Sequence, residues 1–410
     1  MSCCLFKLEF PSKKYNLKYS VLYISKNIPT PKKPENKVIL TIAHRLLKYF
    51  DIQIIYPKEK YFFFLRPFRK YKYLRNLKPW IMDDFYVRIM SYLRLPVKSY
   101  AFIFTRIFLK FPKNVHRAQL IHAHFLVPDG LLAYYIHQKY KTPYILSIRI
   151  SGVRLLMELK NQKKENSDTY QKIKTIINHS TAIICHNEAY ARLIHDEFGK
   201  ACEVIPHGLN STYILQEAPA YNQKIQIVTA GKIIPDKRIE WVIRSFIEAK
   251  IHFDNIQLWV MGDGQNLPGL IEKYNHHNDI VFTGFVEREK LLDKLTESQI
   301  FILPSKWETY GLVFNEAASR HNAIIGTRGQ GVYGIFKENK EALYCQTQDE
   351  LTEKLILLLK KSELRKSLAD AALQKVQSLN WDSIIENYKT LYDQCILENY
   401  PEHGNCENTY

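Results

Sequence analysis

The chain has 410 residues, too many for one ordinary core and enough for two domains of about 200 residues each. A hydrophobic content of 46% excludes a disordered or fibrous chain, and no run reaches the roughly 18 apolar residues of a membrane-spanning helix. The net charge of +17 and pI near 9.3 imply an anionic partner, whether nucleic acid, an anionic membrane surface or a phosphorylated substrate.

From residue 19, short β-branched or apolar runs alternate with amphipathic stretches, the pattern of βαβ units around a parallel sheet. Strands are predicted at 21–25, 53–56, 119–123, 144–148, 182–186 and 203–205. A second series follows at 225–230, 256–261, 280–283, 300–303, 323–327 and 342–345. Within 238–250 the apolar residues Ile239, Val242, Ile243, Phe246 and Ile247 keep helical spacing. This predicts an α/β protein of two doubly wound, Rossmann-like domains, 1–212 and 213–380, joined by a polar linker near 211–223 that contains Pro219. The tail 348–392 reads as helical with a break at Asn380, so that a last helix, 381–400, crosses back to the first domain. Residues 401–410 read as a polar tail.

Residues 1–14 lack the apolar core and cleavage site of a secretory signal, which predicts a cytoplasmic location. Seven cysteines without paired metal spacing read as reduced thiols. Cys3 and Cys4 fit either a lipidation site or plain thiols in a frayed terminus.

Glycine is scarce. Only fifteen occur, none before Gly130, and most of the rest stand where a strand of the second domain ends. In an open parallel sheet the ligand sits outside the carboxyl ends of the strands, where glycine lets backbone approach phosphate or sugar. The second domain therefore reads as the nucleotide holder. In the segment 305–316, Glu308 belongs to a loop and Glu316 to a helix that starts near Leu312. The amides at that helix start, beside Gly311, suit a diphosphate. A carboxylate on either side can accept hydrogen bonds from sugar and ribose hydroxyls.

Here the sequence resembles glycosyltransferase family 4, whose members share the GT-B fold and carry two glutamates with seven residues between them, as Glu308 and Glu316 have. Four further segments resemble the family in order: 204–210, 230–237, 261–264 and 282–286. The resemblance implies that Lys232 and Lys237 bind the diphosphate, that Glu316 holds the ribose and Glu308 the transferred sugar, and that Gly284, Phe285 and Val286 meet the base. Gly231, Gly262, Tyr310, Gly311 and Leu312 would complete the donor site. It further implies retention of anomeric configuration, a nucleotide-sugar donor as co-substrate and a glycan or lipid-linked acceptor in surface-polysaccharide synthesis. No Asp-x-Asp pair for a phosphate-bound divalent ion is found, so no metal cofactor is expected. For each residue singly, a salt-bridge or helix-capping role remains the alternative.

In the first domain, alternation places His122 and His124 on one face of a strand. The family often has a histidine here that reaches the donor sugar or acceptor, a role implied for His124, with His122 packed beneath. A purely structural histidine is the alternative. Two departures mark the acceptor side: the loop 28–37 has no glycine, and the family's frequent His-Gly-x-Asp is replaced around Arg149, which reads as an acceptor or phosphate contact or as a structural charge.

Gly329, Gly331 and Gly334 match G-x-G-x-x-G but come late in their domain, so the reading is a turn near the donor rather than a dinucleotide site. Residues 58–117 interleave Lys and Arg with aromatics. They read either as a surface for docking on an anionic membrane or as core aromatics under a solvated basic face. No nucleic-acid motif accompanies them, and nucleic acid is not expected as a partner. The rival functions are a nucleotide-sugar epimerase or hydrolase of the same fold, which would turn over donor without acceptor, and a non-catalytic basic binding protein.

Overall fold

The computed structural model describes residues 18–31, 37–60, 77–93, 114–215, 217, 219 and 224–400. The first sheet contains β1 (Ser20–Ile24), β2 (Asp51–Lys60), β3 (Trp80–Met82), β4 (Phe85–Leu93), β5 (Leu120–Ala123), β6 (Tyr144–Ile148), β7 (Ala182–Cys185) and β8 (Glu203–Val204), in the order β3-β4-β2-β1-β5-β6-β7-β8. Every pairing is parallel except that of β3 with β4. The second contains β9 (Ile225–Ala230), β10 (Ile256–Met261), β11 (Ile280–Gly284), β12 (Ile300–Ile302), β13 (Ala323–Thr327) and β14 (Leu343–Cys345). It is wholly parallel, in the order β11-β10-β9-β12-β13-β14. Chain direction across the sheets reverses between β1 and β5 and between β9 and β12. Those switch points are where such sheets take ligands.

Helices cover the faces: α1 (Val38–Leu46), α2 (Leu131–Tyr140), α3 (Ile150–Asn161), α4 (Asp168–Asn178) and α5 (Glu188–Phe198) in the first half, and α6 (Ile239–Lys250), α7 (Leu267–Tyr274), α8 (Arg288–Thr296), α9 (Leu312–Ser319), α10 (Gln348–Lys360) and α11 (Ser362–Ser378) in the second. In α6 the helically spaced Ile239, Val242, Ile243 and Phe246 are all buried, so the sequence period becomes the packed stripe. The helical tail breaks twice, at Lys361 and at Asn380. The Asn380 side chain accepts a bond from Ser383 N and so caps α12 (Trp381–Asn399).

α12 belongs to the first core. Its Ile384, Ile385, Tyr388, Tyr392 and Ile396 pack with Val21, Tyr23, Leu40 and Phe50. Burying such a side chain stabilises the fold by about 1.5–3 kcal/mol each, and Tyr392 adds a 2.8 Å hydroxyl bond to Tyr23. The chain thus returns from the second sheet to complete the first domain.

The stretch 58–117 lies partly outside the described residues, at 61–76 and 94–113. Its described part includes strand: β2 runs to Lys60, and β3 and β4 form a hairpin with Trp80, Phe85, Val87, Met90 and Tyr92 buried. The frequent cations hid this alternation from the sequence reading, which placed no strand there. On the outer face, the cross-strand pair Ile81 and Tyr86 is exposed, at 75% and 60%.

Candidate active site in the interdomain cleft

The carboxyl edge of the second sheet is built from backbone. Gly231 follows β9, Gly262 follows β10 and Gly284 ends β11. Gly231 N donates to Met261 O at 3.0 Å and Gly262 N to Gly284 O at 2.8 Å. Only glycine fits at 262, because φ is +134° and a Cβ would stand 1.9 Å from Gly231 O. Lys232 extends from this edge, exposed, with no ion pair to any described residue. Phe285 is 72% exposed beyond β11, with Val286 half-buried.

The loop after β12 carries the acids. Gly311, at φ +78°, turns the chain into α9, and a Cβ on it would lie 3.2 Å from Glu308 Cγ. Glu308 pairs with Lys237 from the turn after β9. Lys306 N donates to Asp236 O at 2.7 Å, which ties the two loops together. Glu316 on α9 is 5% exposed and pairs with Arg288 of α8 at 3.1 Å. Burial pushes its carboxyl above the usual range, and Arg288 offsets part of that rise. Between the domains, Glu316, Arg288, Leu312 and Tyr213 line a cavity of about 250 Å³ together with Arg45 of α1 and Lys37, which precedes it. Glu308 and Glu316 therefore flank the start of one helix, each paired with a cation.

The cleft is closed by specific bonds. Ile150 N, at the start of α3, donates to Thr309 Oγ1 at 3.2 Å, and Asn187 Nδ2 donates to Thr309 O at 2.9 Å and Gly331 O at 3.1 Å. Tyr190 OH donates to Glu308 O at 2.6 Å, and Arg154 pairs with Asp236 at 3.0 Å. Gly331 N donates to Glu308 O at 3.1 Å, so the glycine-rich turn 329–334 abuts the acidic loop.

On the first-domain side, His122 and His124 lie ring to ring, 3.9 Å between centroids, and both are fully buried. His122 bonds Tyr392 OH at 2.5 Å and Ser147 Oγ at 2.8 Å. Burial, with the nearby charge of Arg149, holds it at about 3, so it is a neutral packing element. His124 has neither ring nitrogen partnered among the described residues. Arg149 is 8% exposed and donates from Nε to His124 O at 3.2 Å. Among the described residues no group of three or more His, Cys, Asp or Glu converges as a metal-binding set.

The structure brings Lys237, Glu308, Gly311 and Leu312 together, with Glu316 further along α9. Lys232, Gly231, Gly262, Gly284 and Phe285 line the adjoining sheet edge. Tyr310 departs from its expected contact with the donor. It is 1% exposed and its hydroxyl donates to His207 O at 3.4 Å and contacts Asn315, so it fastens the loop to the first domain. Sequence reading missed Arg288, Asn187, Tyr190, His186 and His207. Their common signal is position: each follows a strand end or opens a helix at the cleft.

Two facing Rossmann-like domains with a returning C-terminal helix are the architecture of the GT-B glycosyltransferases. Residues 211–375 match the family model described as glycosyl transferases group 1. An uncharacterized glycosyltransferase of Methanocaldococcus jannaschii, MJ1178, is 23% identical over 70% of this chain and 79% of its own length. Sucrose-phosphate synthase from Thermosynechococcus elongatus superposes with a TM-score of 0.69 at 16% identity, covering 92% of this chain and 99% of that one. Alr3699/HepE of Anabaena, in complex with UDP-glucose, superposes at 0.61 with 11% identity, covering 91% and 99%.

Proposed function

We propose that the protein is a retaining, metal-independent glycosyltransferase that moves a sugar from a nucleotide diphosphate donor to a glycan or lipid-linked acceptor in surface-polysaccharide synthesis. The observation that carries this reading is the pair of buried or half-buried acids, Glu308 with Lys237 and Glu316 with Arg288, on either side of the start of α9.

The donor diphosphate lies over the amides that open α9, between Lys232 and Lys237. Glu316 accepts from ribose hydroxyls and Glu308 from hydroxyls of the sugar. As the bond from the anomeric carbon to the distal phosphate breaks, the nucleoside diphosphate gains negative charge, which the two lysines and the helix start stabilise. The Lys237 ammonium has three N–H groups, so it serves Glu308 and a phosphate oxygen together. The acceptor hydroxyl attacks from the same face, and the departing phosphate oxygen takes its proton.

The enzyme works in the cytoplasm, at the inner face of the cell membrane. Support for this comes from the outward pair Ile81 and Tyr86 on the β3–β4 hairpin, within a cation-rich stretch. No described helix is long and apolar enough to cross a membrane.

Thermal stabilisation by UDP-, GDP- and ADP-sugars tests the reading. A true donor at about 100 times its dissociation constant adds roughly 2.7 kcal/mol. Glu316→Ala should weaken that donor by about 10- to 100-fold, the loss of hydrogen bonds to a charged group. No shift with any of the three donor classes would sink the proposal.

A further inference from the structure

Four consecutive strands of the first sheet end in basic side chains turned inward. His124 follows β5, Arg149 follows β6, His186 follows β7 and His207 stands three residues after β8; none is more than 8% exposed. Each has a polar atom without a partner among the described residues: both ring nitrogens of His124, Nη2 of Arg149, Nε2 of His186 and Nδ1 of His207. Buried polar groups in native proteins are almost always hydrogen-bonded, to protein, water or a ligand, so five such atoms in one cluster mark a polar site with unused donors and acceptors.

The bonds that are made fix what the orphans offer. Arg149 Nη1 faces His207 Nε2 at 3.5 Å, so that nitrogen accepts and His207 Nδ1 carries the proton. His186 Nδ1 faces Ile205 O at 2.9 Å, which leaves its Nε2 as an acceptor. The cluster therefore offers donors from Arg149, His207 and one nitrogen of His124, with acceptors from His186 and the other nitrogen of His124. Its permanent charge, on Arg149, has no carboxylate within ion-pairing distance among the described residues. The buried Asp129 influences Arg149 but accepts instead from the Lys26 amide at 3.2 Å, and burial pushes its carboxyl well above the usual range. The cluster borders the loop that carries Glu308: Tyr310 OH donates to His207 O, and Asn187, next to His186, donates to Thr309 O.

We propose that Arg149, His124 and His207 seat an oxyanion, a carboxylate or phosphate, carried by one of the two reacting sugars, while His186 Nε2 accepts from a hydroxyl beside it. This makes the enzyme selective for an acidic sugar. The inference rests on the nucleotide-sugar reading above and names the substrate class of that site. The four side chains are buried, so binding requires the cleft between the domains to open.

Isothermal titration of the full wild-type chain tests it without any variant. In the donor arm, UDP-glucuronate is compared with UDP-glucose, and GDP-mannuronate with GDP-mannose. In the acceptor arm, glucuronate and glucose 6-phosphate are compared with glucose at saturating UDP or GDP. A preference of at least tenfold for the charged sugar in one arm is expected, and the arm identifies which sugar carries the charge. Arg149→Gln should reduce that preference to less than twofold and Arg149→Lys should restore part of it; should Arg149→Gln fail to fold, His207→Asn serves in its place. Equal affinity for charged and neutral sugars in both arms, with UDP or GDP still binding, overturns the inference alone. Failure of UDP, GDP and ADP to bind overturns the nucleotide-sugar reading, and the inference falls with it.

Discussion

The two sheet edges that face each other across the cleft are made of opposite materials. The edge of β9, β10 and β11 is glycine backbone with an exposed lysine, so it meets a ligand with amides and a solvated cation. The edge of β5 to β8 is a set of buried imidazoles and one guanidinium with orphaned nitrogens. Backbone amides recognise phosphate whatever is attached to it, whereas fixed side chains discriminate between ligands. Under the function proposed above, the contrast divides the work: the second domain would take the part common to all nucleotide donors, and the first what is particular to this reaction.

The largest expected effect separates the two edges by acid. Burial holds His122, His124, His186 and His207 below their ordinary value. A group whose folded value is depressed stabilises the fold above its unfolded value and loses that contribution as pH falls. Here the loss begins near pH 6.5 and continues toward pH 3 for His122. Asp129 and Glu316 are raised, so they act with the opposite sign, and their contribution is lost as pH rises above about 4. The four histidines outnumber the two acids, so stability is expected to fall as pH drops below about 6.5. Chemical denaturation across that range should show the slope, and a flat profile would mean that the first edge is hydrated and titrates freely.

Next comes Glu308→Gln, which keeps the shape of the loop and removes the charge. Turnover should fall by about 100- to 1,000-fold, the cost of losing one preorganised electrostatic group, while nucleotide affinity changes less than tenfold. Equal losses in both would place Glu308 in ground-state binding only. Gly262→Ala should destabilise the chain by about 3 kcal/mol, since the added carbon meets a carbonyl that sits in a strand edge. The smallest effect belongs to Gly269 inside α7, where nothing lies within 4 Å of an added Cβ. Gly269→Ala should stabilise by about 0.4–1 kcal/mol. Thermal melts of the pair test whether glycine at the edge is structural necessity and glycine elsewhere is not.

The second edge was legible in the sequence because glycine is rare here and stands at strand ends, where apolar runs such as 225–230 and 256–261 mark the strands around it. The first edge was not legible as a whole. Positions 124, 149, 186 and 207 are far apart in the chain, and only the strand order brings them together. Each directly or nearly follows an apolar run, a signal that sequence reading used for His124 and Arg149 and passed over for the other two. The β3–β4 hairpin escaped because Lys78 and Arg88 interrupt a pattern whose buried members, Trp80, Phe85, Val87 and Met90, alternate imperfectly. Tyr310 escaped for a different reason: proximity to a site says nothing of which way a side chain turns.

The chain passes between the two sheets twice, once after β8 and again before α12. The two passages are bound to each other, with Leu209 N donating to Leu379 O at 2.9 Å and Trp381 filling the place a Cβ on Gly208 would need. Two crossings clamped side by side form the natural hinge line, so any opening of the cleft is expected to turn about the line they share. The expected opening is then widest at the rim farthest from Leu209 and smallest beside it.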